Sequence, residues 1–371
     1  MLITLAFPPQ LGGMQRLMAE RVRLAADEMV VVAPNRGEAD AWDARQAFPI
    51  WRWPGGPGGL PGWRRVRQMI GAWQGLRWAR AQGKVTALEL GQALPFGLVA
   101  LWARARFALP YRVWAFGDEV IKPARRPVVR QVLVRVLNEA AAIYAISEYT
   151  AGLLRELGIP PTRVHVVHPW PAPRFQPGDK AAARRFLRLP PKGPLLLTVA
   201  RLEARKGVDR VLALLPRLIR AFPHLRYAVV GEGRVRPHWQ ALARRLGVAD
   251  HVLWPGRVDD QTLVRWYQAA DLFVLIPTPG PGEVEGFGLV YVEAGACGIP
   301  SVAGDNGGVR EAVLHGRTGL VVPPGDEAAL FEALRELLRN SSLRARMGRS
   351  AWEHAQALRR DAAHVFDKRN V

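Results

Sequence analysis

The sequence predicts an α/β protein built from two doubly wound domains. Short apolar strands alternate with helices through both halves of the chain, which is typical of parallel sheets covered by helices. Residues 29–34 and 195–200 are almost continuously apolar, as expected for strands buried on both faces. The 371 residues suffice for two cores of ordinary size. We expect a first domain at 1–168, a second at 169–348 and a terminal helix, 349–371, that packs back toward the first.

The first domain opens with an arrangement that suits phosphate binding. Residues 2–7 form an apolar strand, and a loop rich in proline and glycine leads from it into a helix predicted for residues 14–26. A strand, a glycine-rich loop and a helix form the phosphate site of doubly wound folds, although the G-x-G-x-x-G spacing is absent here. Gly12 and Gly13 are therefore candidate phosphate contacts.

A basic amphipathic helix is predicted for residues 63–82. Large apolar residues and arginines recur in it at helical spacing: Trp63, Val66, Ile70, Trp73, Arg77 and Arg80. Two interpretations stay open, since the tryptophan face could pack on the sheet or dock on an anionic membrane surface. Further strands are predicted at 87–90 and 111–115.

The second domain begins with a strand that ends in two cations. Arg201 and Lys206 follow the strand at 195–200, just before a predicted helix. Arg offers a planar fork and Lys a compact charge, and both suit the phosphate oxygens of a diphosphate that gains charge as it leaves. The pattern alone leaves open that these are solvated basic side chains.

Two glutamates flank a glycine-rich turn later in the second domain. Glu285 and Glu293 lie eight residues apart, with Phe287 and Gly288 between them and a helix predicted to begin at Leu289. A glycine-rich turn that leads into a helix is a natural anion site, because backbone amides and the positive end of the dipole face the ligand. The alternative is a solvated loop acid and a glutamate on the helix surface.

The other predicted elements complete a second doubly wound sheet. Four more strands are expected at residues 225–230, 251–254, 270–277 and 300–304, and two helices at 326–348 and 350–369. Ligands of such sheets bind at the carboxyl ends of the strands. Every candidate motif lies at such an end, so we expect one cleft between two facing domains.

Composition narrows the class of protein. The net charge is +20, and between residues 51 and 135 fifteen Lys and Arg face only three acids, interleaved with seven tryptophans. This concentration of basic residues and tryptophans suits binding to an anionic membrane surface or to nucleic acid. The alternative is that it reflects an arginine-rich proteome. The single Cys297 excludes an internal disulfide and a cysteine metal cluster. No apolar run is long enough to span a bilayer and no signal peptide is visible, which predicts a cytoplasmic protein.

Several motifs resemble those of the family 4 retaining glycosyltransferases. The segment EGFGLVYVE, from Glu285 to Glu293, resembles the family's paired-glutamate signature, and Arg201 with Lys206 and Gly207 resembles its R-x-x-x-x-K-G motif. The segments AWDARQAFPIWRWP and EVEGFGLVYVEAGACGIP resemble bacterial phosphatidylinositol mannosyltransferases in particular. The resemblance covers nearly the whole chain and implies the GT-B fold, with two Rossmann-like domains.

The resemblance implies a strand at residues 142–146 that leads to Ser147 as the cap of the next helix. It also implies a role for each motif. Glu285 is expected to face the donor sugar, Glu293 the ribose, and Gly256 with Arg257 the base. The family carries His-Gly at the strand end where this chain has Phe116-Gly117. A phenylalanine neither donates a hydrogen bond nor transfers a proton, so that role is absent or is taken over by Asp118 or Glu119.

The predicted function is a retaining transfer of a sugar from a nucleotide-diphosphate donor, with no separate cofactor. GDP-mannose is the favoured donor and a UDP-sugar the alternative; the acceptor is a lipid or glycan at the inner face of the membrane. No metal is expected, because Arg201 and Lys206 supply the positive charge that a divalent ion would otherwise supply. Nucleic acid is not expected as a partner either. A non-catalytic sugar-nucleotide binder and a basic nucleic-acid-binding protein are the alternatives; a two-carboxylate glycosidase would not use a diphosphate clamp.

Overall fold

The chain folds into two α/β units. The computed structural model describes residues 1–10, 12–36, 39–54, 61–83, 85–278, 280 and 283–367, with 61 and 62 described by their backbone alone. Contacts divide the chain into Met1–Pro169 together with Ala362–Val371, and Trp170–Asp361. Each unit has its own hydrophobic core.

In its described part, the first unit forms one parallel sheet of seven strands. These are β1 (Leu2–Ile3), β2 (Val31–Asn35), β3 (Ile50–Pro54), β4 (Leu88–Leu90), β5 (Tyr111–Ala115), β6 (Ala142–Ala145) and β7 (Val164–Val166). They lie in the order β3-β2-β1-β4-β5-β6-β7, and all neighbours pair in parallel. The order reverses at β1, and ligands of such sheets bind beside this reversal, at the carboxyl ends of the strands.

The helices of the first unit follow the strands in alternation. They are α1 (Gly13–Arg23), α2 (Ala39–Asp43), α3 (Pro61–Ala81), α4 (Phe96–Phe107), α5 (Asp118–Ala124), α6 (Pro127–Glu139) and α7 (Glu148–Glu156). The predicted Ser147 cap of α7 is confirmed, because its hydroxyl accepts a hydrogen bond from the Thr150 amide at 3.1 Å.

The second unit repeats this architecture with six strands among its described residues. They are β8 (Leu195–Val199), β9 (Arg226–Val230), β10 (Val252–Gly256), β11 (Leu272–Leu275), β12 (Ser301–Gly304) and β13 (Gly319–Val322). Their order is β10-β9-β8-β11-β12-β13, again with all neighbours parallel. The predicted pair of doubly wound α/β units is confirmed.

The helices of the second unit cover a sheet of apolar strands. They are α8 (Lys180–Phe186), α9 (Val208–Ala221), α10 (Arg236–Arg245), α11 (Asp260–Ala269), α12 (Leu289–Ala296), α13 (Val309–Ala312), α14 (Glu327–Arg339) and α15 (Ser341–Val365), whose last residues, from Ala362 on, belong to the first unit. On α9 the residues Val211, Leu212, Leu215 and Leu218 are fully buried, at the spacing of an amphipathic helix.

Some boundaries differ from the sequence prediction. Strands β3, β7 and β13 were not predicted as strands; β3 mixes tryptophan, arginine and proline, and the other two are short. The break between the last two helices was predicted at residue 349 but lies at Asn340, whose Oδ1 accepts a hydrogen bond from the Leu343 amide at 2.9 Å. Gly348 lies inside α15, at a point where a Cβ would be only 2.2 Å from the carbonyl oxygen of Gly298, so a larger residue would not fit there.

The first unit encloses a buried ion pair beside an aromatic cluster. Arg21 Nη2 lies 2.8 Å from Glu89 Oε2, and the other oxygen of Glu89 accepts a hydrogen bond from Trp114 Nε1 at 2.7 Å. Phe366, just beyond α15, is buried against Trp114 and Tyr144, with the Arg21 guanidinium 4.0 Å from its ring centre. The last described residues of the chain therefore pack within the first unit.

Candidate functional site

The candidate residues of the second unit follow the carboxyl ends of neighbouring strands. Arg201 and Lys206 follow β8, Glu285 follows β11, and Gly256 ends β10 just before the exposed Arg257. Because the strands are parallel, these ends lie along one edge of the sheet, which is the ligand-binding edge of such folds.

Lys206 and Glu285 form an ion pair. Lys206 Nζ lies 2.5 Å from Glu285 Oε2, although the residues are 79 positions apart in sequence. Their side chains are only 11% and 16% exposed. Charges interact more strongly where water is largely excluded, and removing one partner leaves the other buried and uncompensated. The structure therefore joins two residues, each predicted separately from the sequence, into one ion pair.

A glycine fixes the backbone that carries Lys206. Lys206 ends the short turn Ala204–Lys206, and Gly207 follows with φ 67°, in the left-handed region. A Cβ at Gly207 would lie 2.0 Å from the carbonyl oxygen of Ile276, so no other residue fits without moving the backbone.

The backbone of Glu285 is held by a turn that sequence analysis did not connect to it. The Glu285 amide donates to Asn306 Oδ1 at 3.3 Å, and its carbonyl oxygen accepts from the Gly308 amide at 2.9 Å. A Cβ at Gly307 would lie 2.4 Å from that same carbonyl oxygen. The sequence signal for this turn is the run Asn306-Gly307-Gly308, but only the fold reveals that its partner is Glu285.

Arg201 lies more openly than Lys206. Its side chain is 69% exposed, and its Nη1 lies 3.0 Å from Glu203 Oε1. Arg205, which was not selected from the sequence, is more buried; its Nε lies 3.1 Å from Glu203 Oε2 and 4.0 Å from Glu283 Oε2. The loop therefore carries a second guanidinium close to the predicted clamp.

Helix α12 begins where the sequence predicts an anion site. Gly288 is its N-cap, with φ 91°, and the buried Phe287 and Leu289 flank it. A Cβ at Gly288 would lie 2.5 Å from the ring of Tyr291, whose hydroxyl donates to the Leu275 carbonyl at 2.8 Å. The positive end of the helix dipole is thus fixed against β11.

Glu293 lies inside the second unit. It is 1% exposed, and its Oε2 accepts a hydrogen bond from the Tyr267 hydroxyl at 2.9 Å. Burial and the neighbouring Glu293 carboxylate raise the pKa of the Cys297 thiol. The ribose contact expected of Glu293 stays a prediction.

The turn after β5 in the first unit carries two acidic residues, of which Asp118 is at the surface and Glu119 is buried. Asp118 Oδ2 lies 2.7 Å from Lys122 Nζ on the surface of α5. Glu119 is buried; its Oε1 accepts a hydrogen bond from the Phe116 amide, and burial raises the pKa of its carboxyl group to about 7. Phe116 itself is buried and stacks on Trp114, with ring centres 6.3 Å apart.

Gly12 and Gly13 lie at the start of α1, as the sequence predicts. Gly12 is the N-cap, and its carbonyl oxygen accepts a hydrogen bond from the Arg16 amide at 3.1 Å. A Cβ at Gly12 would lie 2.3 Å from Gln15 Oε1. The phosphate contact assigned to these glycines stays a prediction.

Comparisons with known proteins establish the family. The family described as "Glycosyl transferases group 1" matches residues 179–354, and the "Glycosyl transferase 4-like domain" matches residues 12–170. A GDP-mannose-dependent monoacylated alpha-(1-6)-phosphatidylinositol monomannoside mannosyltransferase of Corynebacterium glutamicum is 32% identical over 96% of this chain and 93% of its own. The chain belongs to the family 4 glycosyltransferases.

Two further similarities support the assignment. A GDP-mannose-dependent alpha-(1-6)-phosphatidylinositol monomannoside mannosyltransferase of Mycobacterium tuberculosis is 34% identical to this glycosyltransferase over 96% of the chain and 93% of its own. The solved structure of sucrose-phosphate synthase from Thermosynechococcus elongatus superimposes with a TM-score of 0.81 at 22% identity, covering 98% and 97% of the two chains. The GT-B fold expected from the sequence is confirmed.

The amphipathic helix α3 of this glycosyltransferase does not pack its tryptophan face on the sheet. Trp63 is 61% exposed, and three large apolar residues on the same helix are also exposed: Val66, Ile70 and Trp73. The buried face instead carries Ala72, Leu76 and Ala79. The interpretation that the face carrying Trp63 and Trp73 packs on the sheet is therefore wrong.

The neighbouring helix α4 extends this exposed apolar surface. Leu98 and Trp102 are exposed, and Arg80 of α3 lies 3.5 Å from the ring centre of Phe107 at the end of α4. Exposed residues of the two helices define the α3–α4 surface: Trp63, Val66, Ile70, Trp73, Leu98 and Trp102. Arginines border it, and the guanidinium of Arg77 lies 4.8 Å from the Trp73 ring centre.

The described residues offer no cluster of three His, Cys, Asp or Glu side chains that could hold a metal ion. Nor is any described helix both long and apolar enough to cross a membrane.

Proposed function

We propose that this glycosyltransferase moves mannose, with retention of configuration, from GDP-mannose to a lipid or glycan acceptor. The observation that carries the proposal is the largely buried pair of Lys206 and Glu285 at the ligand-binding edge of the second sheet. The relatives from Corynebacterium and Mycobacterium, named as GDP-mannose-dependent mannosyltransferases, support this donor and a phosphatidylinositol glycolipid acceptor. A UDP-sugar is the alternative donor.

The reaction exchanges one bond to the sugar for another. The bond between the sugar C1 and the diphosphate oxygen breaks, and its electron pair leaves with the diphosphate. The acceptor hydroxyl forms the new bond to C1 on the same face and passes its proton to the departing diphosphate oxygen, which becomes basic as it gains charge. Lys206 and Arg201 stabilise that charge, so the proposed chemistry needs no divalent metal.

The other site residues orient the donor. Glu285 accepts hydrogen bonds from the sugar hydroxyls, and the start of α12, at Phe287, Gly288 and Leu289, faces the phosphates. The remaining assignments concern the nucleoside and the first unit: Glu293 for the ribose, Gly256 and Arg257 for the base, and Gly12, Gly13 and Asp118 for phosphate and acceptor.

Thermal shifts with nucleotides test the donor. The unfolding midpoint should rise with one of GDP, UDP or ADP, and with its sugar conjugate, because a ligand that binds only the folded state stabilises it by mass action. At a ligand concentration of 100 times Kd the stabilisation is about 2.7 kcal/mol. Lys206→Ala should lose the shift, whereas its control Glu336→Gln, at an exposed residue of α14, should keep it. The absence of a shift with every nucleotide would remove the transferase proposal.

Donor binding without turnover would favour the non-catalytic alternative. The buried Phe116, at a strand end where the family carries histidine, is the feature that keeps this alternative in view. Release of GDP from GDP-mannose, followed with and without glycolipid acceptors, separates the two functions.

We also propose that the enzyme acts in the cytoplasm, bound peripherally to the inner face of the membrane. The α3–α4 surface suits this partner, because exposed indoles prefer the interface while the surrounding arginines meet anionic headgroups. The net charge of +20 adds a positive electrostatic field that attracts the protein to an anionic membrane.

Vesicle binding tests the membrane proposal. The double variant Trp63→Ser, Trp73→Ser should bind to vesicles containing phosphatidylglycerol with a partition coefficient at least tenfold lower than that of the original protein. Trp352→Ser, which changes an exposed tryptophan of the second unit, should bind like the original protein. Equal binding by all three proteins would contradict the proposal, and tight RNA binding that persists at moderate salt would favour the nucleic-acid alternative.

A further inference from the structure

Arg52 occupies an unusual position at the ligand-binding edge of the first sheet. It lies on β3 and pairs in a bidentate manner with Asp43 of α2, with Nε 3.0 Å from Oδ2 and Nη2 2.7 Å from Oδ1. The two side chains are 7% and 18% exposed. Both residues belong to the segment 41–54, for which the reaction described above provides no role.

The same guanidinium also binds two backbone carbonyl groups. Arg52 Nη2 donates to the Pro8 carbonyl at 2.7 Å, and Nη1 donates to the Pro34 carbonyl at 3.1 Å. Pro8 follows β1, and Pro34 belongs to β2. One side chain of β3 thus links the loop that follows β1 to the carboxyl-terminal part of β2.

An aromatic cluster supports this contact. Phe7 is buried, its ring packs edge-on against Trp42 and Phe48, and the Arg52 guanidinium lies 5.6 Å from its centre. The residue just before Pro8 is therefore fixed by packing, while Pro8 itself is fixed by the arginine.

We propose that Arg52 is a positioning residue for loop residues 7–10, which precede Gly12 and Gly13 in the sequence. By fixing the Pro8 carbonyl, Arg52 sets where the chain reaches Gly12 and Gly13 at the start of α1. Asp43 holds the planar guanidinium of Arg52 in the orientation that this contact needs. The consequence for catalysis rests on the proposed function, which assigns these glycines to the substrates; the consequence for the loop does not.

The chemistry of the contact requires arginine. A guanidinium has five donors in a fixed plane and here makes four hydrogen bonds, whereas a lysine keeps the charge but lacks this geometry. Arg52→Lys therefore removes the positioning while conserving the charge. Asp43→Asn is the milder second variant, because it leaves both carbonyl contacts in place.

Amide hydrogen exchange tests the positioning directly. In Arg52→Lys, peptides covering residues 6–17 should exchange at least fivefold faster, and in Asp43→Asn they should change in the same direction by less. Arg163→Lys is the matched control; its Nη1 donates to the Ala140 carbonyl at 2.6 Å in the same unit, away from this loop. Unchanged exchange in both test variants would overturn the proposal, and if Arg52→Lys fails to fold, Asp43→Asn decides.

Kinetics then separate a positioning role from general stability. We expect kcat for sugar transfer to fall at least tenfold in Arg52→Lys, while the Kd of GDP, whose main proposed contacts lie in the second unit, stays within about threefold. A loss of rate that only matches a loss of folded protein would contradict positioning. If the original protein neither binds nucleotide nor transfers sugar, the proposed function fails, but the exchange experiment still decides the role of Arg52.

Discussion

Lys206→Ala is expected to lower kcat/KM for sugar transfer by about a thousandfold, which is about 4 kcal/mol of transition-state stabilisation. Two effects add. The variant loses the cation that stabilises the departing diphosphate, and it leaves the carboxylate of Glu285 without its partner in a largely buried site, facing an anionic ligand. Initial rates at varied GDP-mannose concentrations, with the unfolding midpoint of each variant, measure the effect.

The loop provides a control for Lys206. Arg201→Ala removes a side chain that is 69% exposed and paired with Glu203, so solvent screens its charge and the loss of rate should be much smaller. If Lys206→Ala keeps more than a tenth of the original kcat/KM, or if both variants lose equally, the buried pair is not the centre of the diphosphate site.

A double variant identifies the source of the loss. In Lys206→Ala combined with Glu285→Gln, the uncompensated carboxylate is gone, so nucleotide binding should partly recover although transfer does not. The coupling between contacting groups is the difference between the double variant and the sum of the single ones.

The fold could be predicted from the sequence because its strands are short, apolar and separated by helical segments. The strand at 195–200 is an example: Leu195, Leu196 and Leu197 are buried, which is what a parallel strand covered on both faces requires. Strand β3 was missed, since Arg52 and Pro54 interrupt its apolar character. Its side chains are explained by partners distant in sequence, which periodicity does not reveal.

Helix α3 shows why an apolar stripe can predict the wrong face. Large residues at helical spacing suggest burial, yet the face that meets the sheet carries Ala72, Leu76 and Ala79 together with two glycines. At Gly71 and Gly75 a Cβ would lie 2.4 Å from Trp53 and Val32, so these glycines bring the helix axis close to the strands. Trp63, Val66, Ile70 and Trp73 are then left on the outer face. Where a helix packs closely on tryptophan-bearing strands, small residues mark the buried face.

The candidate site was only partly accessible to sequence reasoning. Motif resemblance selected Lys206 and Glu285 separately, but their ion pair spans 79 positions and depends on the adjacency of β8 and β11. Two hydrogen bonds hold the Glu285 backbone, one from its amide to Asn306 Oδ1 and one from the Gly308 amide to its carbonyl, and they depend in the same way on β11 lying beside β12. Spacing along the chain gives the residue types of a site, and strand order gives their partners.

The Lys206–Glu285 pair leads to an unusual expectation for Glu285→Gln. Transfer should fall at least a hundredfold, because the sugar loses a charged hydrogen-bond acceptor, yet GDP should bind about three to ten times more tightly. With the carboxylate neutralised, the charge of Lys206 is no longer compensated, and a diphosphate no longer meets a buried negative group. Isothermal titration with GDP and with GDP-mannose measures both affinities.

Tighter binding of GDP should distinguish this variant from any that merely damages the site. Glu283→Gln is the matched control: it removes one negative charge from a side chain 44% exposed and 4.0 Å from Arg205, so GDP affinity should change by less than about twofold. Weaker GDP binding in Glu285→Gln would contradict the expectation, since it would mean that Glu285 holds Lys206 in place rather than competing for its charge. The gain should also be smaller for GDP-mannose than for GDP, because only the sugar conjugate loses a contact when Glu285 is replaced.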